Sequence, residues 1–264
     1  MTTPLRNALS HLVGWIADRR IPRPLRGPTY RMYARLTGAD LTEALPPLHA
    51  HASLGAFFVR RLRAGTRPVC ADPELLPSPV DGRVQALCLA RDGTVLQAKG
   101  RTYSLRELLA GVAGELDLEG AQVWTLYLSP RDYHRIHSPE GGRLTEVRRV
   151  GGCRFSVAPK VLARRAVLAV NERVVLRLET PRGPLLMVLV GALNVGRIRV
   201  VGVPADHDGT LERPREVERG QELARFEMGS TVVIVTPPRL AEPLDELDEG
   251  HPVRMGEAIG RFLP

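Results

Sequence analysis

Cysteine, lysine and aromatic residues are all rare in this chain of 264 residues. The three cysteines, Cys70, Cys88 and Cys153, are odd in number, widely spaced and free of any C-x-x-C pair. This pattern argues against a disulfide framework or a zinc knuckle and is typical of a reducing compartment. Five Phe and five Tyr residues are too few, and too unpatterned, for a base-stacking RNA-binding sheet, so we expect no nucleic-acid partner.

Long hydrophobic runs are also missing. The best run, Leu185 to Val195, falls short of the roughly 18 consecutive apolar residues that a spanning helix needs. The N-terminus lacks the apolar core of a signal peptide, because Arg6, His11 and Asp18 interrupt it. The sequence therefore predicts a cytoplasmic protein that touches a membrane from one side only.

The charge balance is strongly basic, with 37 Lys and Arg residues against 29 Asp and Glu, a formal net charge of +8. Such an excess favours an anionic partner, which is a nucleic acid, a phospholipid surface or an acidic substrate. Nearly all of it is arginine, since lysine occurs only as Lys99 and Lys160. With 44% hydrophobic residues the chain can bury a sizeable core.

The first 65 residues are predicted to be helical. Apolar side chains recur there at helical spacing, at Leu5, Leu9, Leu12 and Ile16. Pro22 and Pro24 are predicted to end this amphipathic helix. Two more helical stretches are predicted, one from about Pro28 to Leu36 and one that follows Ser53.

Beyond Pro68 the sequence changes to short β-branched runs separated by Gly, Pro and Asp, which indicates strands. Asp92-Gly93 predicts a hairpin turn, and Ser104 with Glu107 predicts a capped short helix. We expect an α+β fold with a mainly antiparallel β sandwich or barrel-like core in residues 66–264. The predicted strands are 84–89, 94–98, 122–128, 144–150, 166–170, 174–178, 185–190, 198–203 and 231–235.

A weak internal repeat lies near the C-terminus, where Val217 to Phe226 echoes Val253 to Phe262. Both copies contain V-x-x-G, an aliphatic residue, a small residue and Arg-Phe. The repeat predicts two related hairpin turns in one β sandwich, as in biotinyl and lipoyl carrier modules. No carrier lysine lies in a Met-Lys-Met turn, which argues against the carrier function itself.

Two segments carry residues suited to catalysis. Gly229-Ser230-Thr231 delivers a serine directly into a β-branched run, although such a turn is ordinary when taken alone. His134 and His137 share one polar segment and point to opposite faces if it is extended. Spacing alone allows a metal pair, a catalytic pair or solvated surface. A zinc site needs three or four ligands, and no further cluster is obvious, so we expect no metal.

A third segment, Pro79 to Gly82, places Asp81 in a turn. Together with Tyr133 to His137 and Gly229-Ser230-Thr231, in that order, it makes most of the chain resemble the phosphatidylserine decarboxylase family. Supporting matches are Phe57 to Arg60 with Arg67-Pro68. One departure is Met228, where many bacterial members have Leu; both are apolar and similar in volume.

The resemblance implies a proenzyme that cuts itself between Gly229 and Ser230 into residues 1–229 and 230–264. Ser230 would attack the Gly229 carbonyl and, after elimination, become a covalent pyruvoyl cofactor. That group would form a Schiff base with phosphatidylserine and release phosphatidylethanolamine and carbon dioxide. By resemblance, His137 is the base for Ser230, Asp81 orients His137, and His134 donates a proton during decarboxylation.

The resemblance also implies partners and a location. They are phosphatidylserine, an anionic membrane surface and a complex of the two cleavage fragments; a homodimer is left open. The N-terminal helical segment would place its apolar face in the interface of the cytoplasmic leaflet while arginines meet headgroups. The alternative is that this segment simply packs on the β domain.

Rival readings of the same residues remain. A metallohydrolase using His134, His137 and Asp81 predicts bound metal and an uncut chain. A carrier or nucleic-acid-binding β module predicts no cleavage and salt-dependent binding. A related pyruvoyl enzyme acting on another serine lipid, such as archaetidylserine, would share all three motifs.

Overall fold

The structure is a computed structural model that describes residue 15 and residues 17–98, 101–162, 164–192, 198–227 and 230–264. The apolar positions of the first predicted helix, Leu5, Leu9, Leu12 and Ile16, lie outside the described residues, and so do Met228 and Gly229.

The longest helix in the described part of the chain is α1, which begins after Pro22 and ends before Gly38 in a left-handed cap. Pro22 and Pro24, predicted to end the preceding helix, also open α1, because proline is tolerated where no helical N–H partner is needed. None of the described helices is long and apolar enough to cross a bilayer. The helices are α1 (Arg23–Thr37), α2 (Leu54–Phe58), α3 (Leu105–Leu109) and α4 (Pro159–Leu162), with a 3-10 turn at Leu48–Ala50.

The described strands form one eight-stranded sheet, two three-stranded sheets and one two-stranded sheet. The strands are β1 (Leu75–Pro77), β2 (Gly82–Leu89), β3 (Thr94–Ala98), β4 (Arg101–Ser104), β5 (Gln122–Leu128), β6 (Arg135–His137), β7 (Gly142–Val150), β8 (Arg173–Thr180), β9 (Gly183–Gly191), β10 (Ile198–Val200), β11 (Gly209–Val217), β12 (Glu222–Phe226), β13 (Ser230–Thr236), β14 (Ala241–Pro243), β15 (Pro252–Val253) and β16 (Ala258–Phe262). The order in the large sheet is β11-β7-β8-β9-β13-β5-β2-β15, and neighbouring strands are antiparallel. The predicted α+β class with a mainly antiparallel β core is therefore confirmed.

The sheet order reveals an internal duplication. We call β1, β2, β5 and β13–β16 the outer repeat, and β6–β12 the inserted repeat, because the latter lies between β5 and β13 in the chain. The large sheet reads β15-β2-β5-β13 from one edge and β11-β7-β8-β9 from the other, so the repeats meet at the β9–β13 pair. The small sheets correspond as well, β1-β16-β14 matching β6-β12-β10.

Equivalent contacts recur in the two repeats. The Gly256 N–H donates to the Ser78 carbonyl at 2.9 Å, and the Gly220 N–H donates to the Ser138 carbonyl at 2.7 Å. Gly256 and Gly220 both adopt positive φ, 90° and 80°, which favours glycine. The weak C-terminal sequence repeat therefore marks two equivalent turns in the structure.

Strand β13 lies at the centre of the core. All its residues from Ser230 to Thr236 are buried, and it pairs along its length with β5 on one side and β9 on the other. Trp124 of β5 is fully buried and donates from its indole nitrogen to the Ile259 carbonyl at 3.2 Å. The last strands of the chain are thus built into the interior.

Gly82 is needed where β2 crosses close to β5. A Cβ added to Gly82 would lie 2.4 Å from the Tyr127 carbonyl oxygen, well inside van der Waals contact. We predict that Gly82→Ala lowers the thermal unfolding midpoint by about 5 °C, through about 2 kcal/mol of overpacking strain. Gly151→Ala is the control, since a Cβ there meets nothing within 4 Å. Equal midpoints for the two variants in a calorimeter would refute this close approach.

Candidate functional site

The Asp81 carboxylate is held in a tight turn and is almost fully buried. Arg67 donates hydrogen bonds to it from two nitrogens: Nη2 lies 2.6 Å from Oδ2, and Nε lies 2.8 Å from Oδ1. The backbone N–H of Met255 also donates to Oδ1 at 2.8 Å. Both carboxylate oxygens are therefore occupied by donors, one of them from the C-terminal part of the chain.

Arg67 extends this contact to the N-terminal part of the chain. Its Nη2 also lies 2.7 Å from Oε2 of Glu43. Burial alone would lower the pKa of Arg67, but the hydrogen bonds that it donates to Asp81 and Glu43 outweigh burial and raise the pKa. A single guanidinium thus joins segments around residues 43, 81 and 255.

His137 ends strand β6 and lies beside the same turn, since its backbone N–H donates to the Pro79 carbonyl at 2.9 Å. Its ring makes two further contacts: Nδ1 is 2.7 Å from the Gly220 carbonyl, and Nε2 is 3.1 Å from the Tyr133 hydroxyl. Burial lowers the pKa of His137, although the Gly220 contact and the charge of Glu222 act in the opposite direction. We therefore expect a neutral imidazole near neutral pH.

The structure brings Asp81 and His137 close together but does not join them. No hydrogen bond between described residues links the Asp81 carboxylate to the His137 ring, whose two nitrogens have other partners. Asp81 acts on His137 only through its charge, which favours the protonated ring. The direct carboxylate contact, the simplest way for Asp81 to orient the base, is absent from this arrangement.

His134 lies just before strand β6, which begins at Arg135. It is fully buried against Phe58 of α2, with ring centroids 3.9 Å apart, and its Nδ1 donates to the Asp132 carbonyl at 2.8 Å. Its Nε2 has no hydrogen-bond partner among the described residues. Burial lowers the pKa of His134 to about 3, so the ring is neutral.

Ser230 is the first residue of β13, where it pairs with Leu128 of β5 and Gly191 of β9. The residue is fully buried, and its Oγ has no hydrogen-bond partner in the described part of the chain. The backbone of His134 is hydrogen-bonded to β12, the strand that precedes β13 in the chain, because the Phe226 N–H donates to the His134 carbonyl at 3.0 Å. Leaving a buried hydroxyl without a hydrogen-bond partner is costly.

Sequence reasoning missed several residues that this arrangement uses. Arg67 and Phe58 belong to motifs that match the family, but the sequence predicts no role for either side chain. Tyr133 likewise belongs to the motif that contains the two histidines, with no role predicted for its hydroxyl. Gly220 was noted as part of a repeat, whereas its carbonyl contacts the His137 ring. The positive φ expected of a glycine in that turn was the one available signal.

Among the described residues, no group of three or more His, Cys, Asp or Glu side chains is arranged to hold a metal ion.

A sequence profile of the family described as phosphatidylserine decarboxylase matches residues 54–261, a span that includes Asp81, His134, His137 and Ser230.

Three relatives bear the name phosphatidylserine decarboxylase proenzyme. The protein from Halorhodospira halophila is 45% identical over 265 residues, covering 96% of this chain and 89% of the relative. The protein from Anaeromyxobacter sp. strain K is 41% identical over 268 residues, covering 97% and 94%. The protein from Nitrosococcus oceani is 41% identical over 273 residues, covering 98% and 88%.

The full burial of the His134 side chain leads to a prediction about the pKa of its ring. Because its pKa is lowered to about 3, its ring should stay neutral from about pH 5 to about pH 8. Nitrogen-15 NMR of histidine-labelled protein measures this directly, and the resonance lost in His134→Gln identifies the residue. A midpoint near the ordinary value of about 6.5 would mean that water reaches the ring.

Proposed function

Because the chain belongs to the phosphatidylserine decarboxylase family, we propose that Ser230 is converted into a covalent pyruvoyl group that serves decarboxylation of phosphatidylserine. The activity is that of a carboxy-lyase, with phosphatidylethanolamine and carbon dioxide as products. The match over residues 54–261 and the proenzyme relatives support it. The structural observation that carries the proposal is the buried hydroxyl of Ser230 at the start of the central strand, which has no hydrogen-bond partner within the part of the chain that the structure describes.

Conversion begins with Ser230 as a nucleophile. Its Oγ adds to the Gly229 carbonyl carbon, the peptide C–N bond breaks, and an ester replaces the amide. Loss of the Ser230 α-proton then breaks the Cβ–Oγ bond, which releases residues 1–229 with a carboxylate and leaves dehydroalanine at position 230. Water displaces the nitrogen as ammonia, and a ketone remains.

His137 is the base that we assign to the first step. A serine hydroxyl attacks poorly until its proton is removed, and a neutral imidazole suits that task. We assign Asp81 an indirect role: it anchors the turn beside His137, since its oxygens bind Arg67 and Met255 rather than the ring. The His137 N–H to Pro79 contact joins that turn to strand β6.

His134 serves the second reaction. When the pyruvoyl group is in place, its ketone supplies a sink for the electrons of the bond to the carboxylate. His134 Nδ1 is committed to the Asp132 carbonyl, so neutral Nε2 carries a lone pair and no proton. We therefore assign Nε2 to take a proton from the substrate ammonium and return it to the carbon that loses carbon dioxide.

The two fragments should stay together after cleavage. Residues 230–264 contribute β13 to the centre of the large sheet, β15 to its edge, and β14 and β16 to a second sheet. Their backbone hydrogen bonds and buried side chains do not depend on the Gly229-Ser230 peptide bond. We propose a tight complex of large and small fragments as the working form.

Cleavage is tested by intact mass under denaturing conditions. We expect two fragments for the wild-type chain and one uncut chain for both Ser230→Ala and His137→Ala, because each lacks the nucleophile or its base. Asp81→Asn should be cut slowly, since the turn loses its ion pair with Arg67. Release of carbon dioxide from phosphatidylserine vesicles should require Ser230. Cleavage that persists in Ser230→Ala would overturn the proposal.

A membrane role for the helical segment rests on α1. Leu25, Met32 and Leu36 are 56%, 59% and 79% exposed and, at spacings of seven and four residues, lie on one face of the helix. Tyr30 on the opposite face is buried and stacks on Phe57 at 4.5 Å. The helix thus packs on the chain by one face and presents an apolar stripe on the other.

Basic residues accompany this stripe. Arg23, Arg31 and Arg35 of α1 are exposed, and α1 has no acidic residue in its first turn. An apolar stripe with neighbouring arginines suits the interface of an anionic leaflet. We propose peripheral attachment at the cytoplasmic face of the cell membrane, with α1 lying in the interface.

The stripe is tested with Leu25→Ser, Met32→Ser and Leu36→Ser combined. Each loses apolar surface at the interface, so we expect binding to vesicles of phosphatidylserine and phosphatidylcholine to weaken about tenfold or more. The control combines Leu45→Ser, Leu89→Ser and Leu96→Ser, which are 44%, 48% and 43% exposed elsewhere. Sedimentation that gives the same binding for both triple variants would refute the assignment.

A further inference from the structure

The His137 ring is fixed by two groups of different chemistry. The Gly220 carbonyl, 2.7 Å from Nδ1, can only accept a hydrogen bond, so Nδ1 must carry a proton. In a neutral ring Nε2 is then the lone-pair nitrogen, and the Tyr133 hydroxyl at 3.1 Å donates to it. The geometry therefore selects one tautomer.

We infer that Tyr133 is a positioning residue for self-cleavage: its hydroxyl and the Gly220 carbonyl, rather than the Asp81 carboxylate, set the tautomer and orientation of His137. This inference rests on the proposed function, since it concerns the base that activates Ser230. Nε2 is the nitrogen that must accept the Ser230 proton, and its partner in the resting chain is a hydroxyl hydrogen, which can rotate away.

Asp81 is poorly placed to set the tautomer and orientation of the His137 ring. Arg67 and the Met255 N–H occupy both of its oxygens, and Arg67 is itself fixed by Glu43. Turning Asp81 toward His137 would leave a buried guanidinium short of one partner, which is costly. Tyr133 by contrast is 7% exposed, and its ring lies against the His137 ring with centroids 5.6 Å apart.

The charged and titratable groups that act on His137 are Tyr133, Arg135, Glu222 and Asp81. Glu222 and Asp81 favour the protonated ring, whereas Arg135 disfavours it. A hydrogen bond from Tyr133 to Nε2 stabilises the neutral ring and thus holds the pKa of His137 down. Burial raises the pKa of Tyr133 to about 12, so its hydroxyl remains a donor at neutral pH.

The roles of Tyr133 and Asp81 are distinguished by opposite shifts in the pH profile of cleavage. Uncut precursor from cell-free synthesis is moved to buffers from about pH 5 to about pH 9, and fragment formation is followed by denaturing electrophoresis. Tyr133→Phe should move the acid limb up by about 0.5 to 1 pH unit, because the neutral base loses its donor. Asp81→Asn should move it down, because a charge favouring the protonated ring is removed.

The control is Tyr103→Phe, which removes another buried tyrosine hydroxyl from strand β4 and should leave the profile unchanged. An unchanged inflection in Tyr133→Phe, with wild-type cleavage intact, overturns this inference and leaves the proposed function standing. A wild-type precursor that never cuts itself overturns the proposed function instead.

A second measurement does not require cleavage. In the Ser230→Ala chain, nitrogen-15 NMR should find His137 as the Nδ1–H tautomer, with its resonance identified by loss in His137→Gln. Adding Tyr133→Phe should raise the pKa of His137 by about 0.5 to 1 unit while the chain stays folded by thermal unfolding. An Nε2–H tautomer, or no rise in the pKa, overturns the inference.

Discussion

The backbone pairing of Ser230 on both sides is the constraint on which the rest of the structure depends. Ser230 opens the central strand, pairs with Leu128 and Gly191, and buries a hydroxyl that has no hydrogen-bond partner among the described residues. The duplication explains how it reaches that position. In the inserted repeat the equivalent pair is Thr180 with Gly183, joined by a tight hairpin turn. In the outer repeat residues 129–229 replace that turn, and the proposed cut before Ser230 would leave the strand pairing in place.

The site is assembled from distant parts of the chain. Arg67 joins Glu43, before the β core, to Asp81, which also accepts from Met255 near the C-terminus. On the other face, Phe58 of α2 covers His134. The buried histidine and the buried hydroxyl both need a site closed to solvent. Water would return the pKa of the histidine toward its ordinary value and would offer the hydroxyl hydrogen-bond partners. The helical segment therefore covers part of the candidate site, in addition to the proposed membrane contact.

Much of the fold could be predicted from local sequence. The β-branched run 122–128 became β5 at the predicted bounds, and the Ser104 cap opens α3, because both signals depend on nearby residues. Prediction failed where partners are distant. The Asp92-Gly93 turn is present, yet β3 pairs with β4 while β2 pairs with β5. Residues 166–170, predicted as a strand, contain no strand: residues 168–170 form a turn just before Asn171.

The candidate site followed the same rule. Local motifs pointed to Asp81, His134, His137 and Ser230, whereas the Gly220 carbonyl is separated from His137 by 83 residues and Arg67 from Asp81 by 14. Tyr133 is only four residues from His137, but this spacing does not by itself predict the contact of its hydroxyl with the ring. A carbonyl partner in particular leaves no side-chain signature, and no spacing rule finds it. The inserted repeat was equally hidden, because only its C-terminal turn kept a recognisable sequence.

The most direct test of the central claim is the mass of the small fragment. If Ser230 becomes a pyruvoyl group, residues 230–264 should weigh one ammonia less than the product of simple peptide hydrolysis, and borohydride should add two hydrogens at the ketone. A fragment that begins with an intact serine amine in a preparation active on phosphatidylserine would contradict the account.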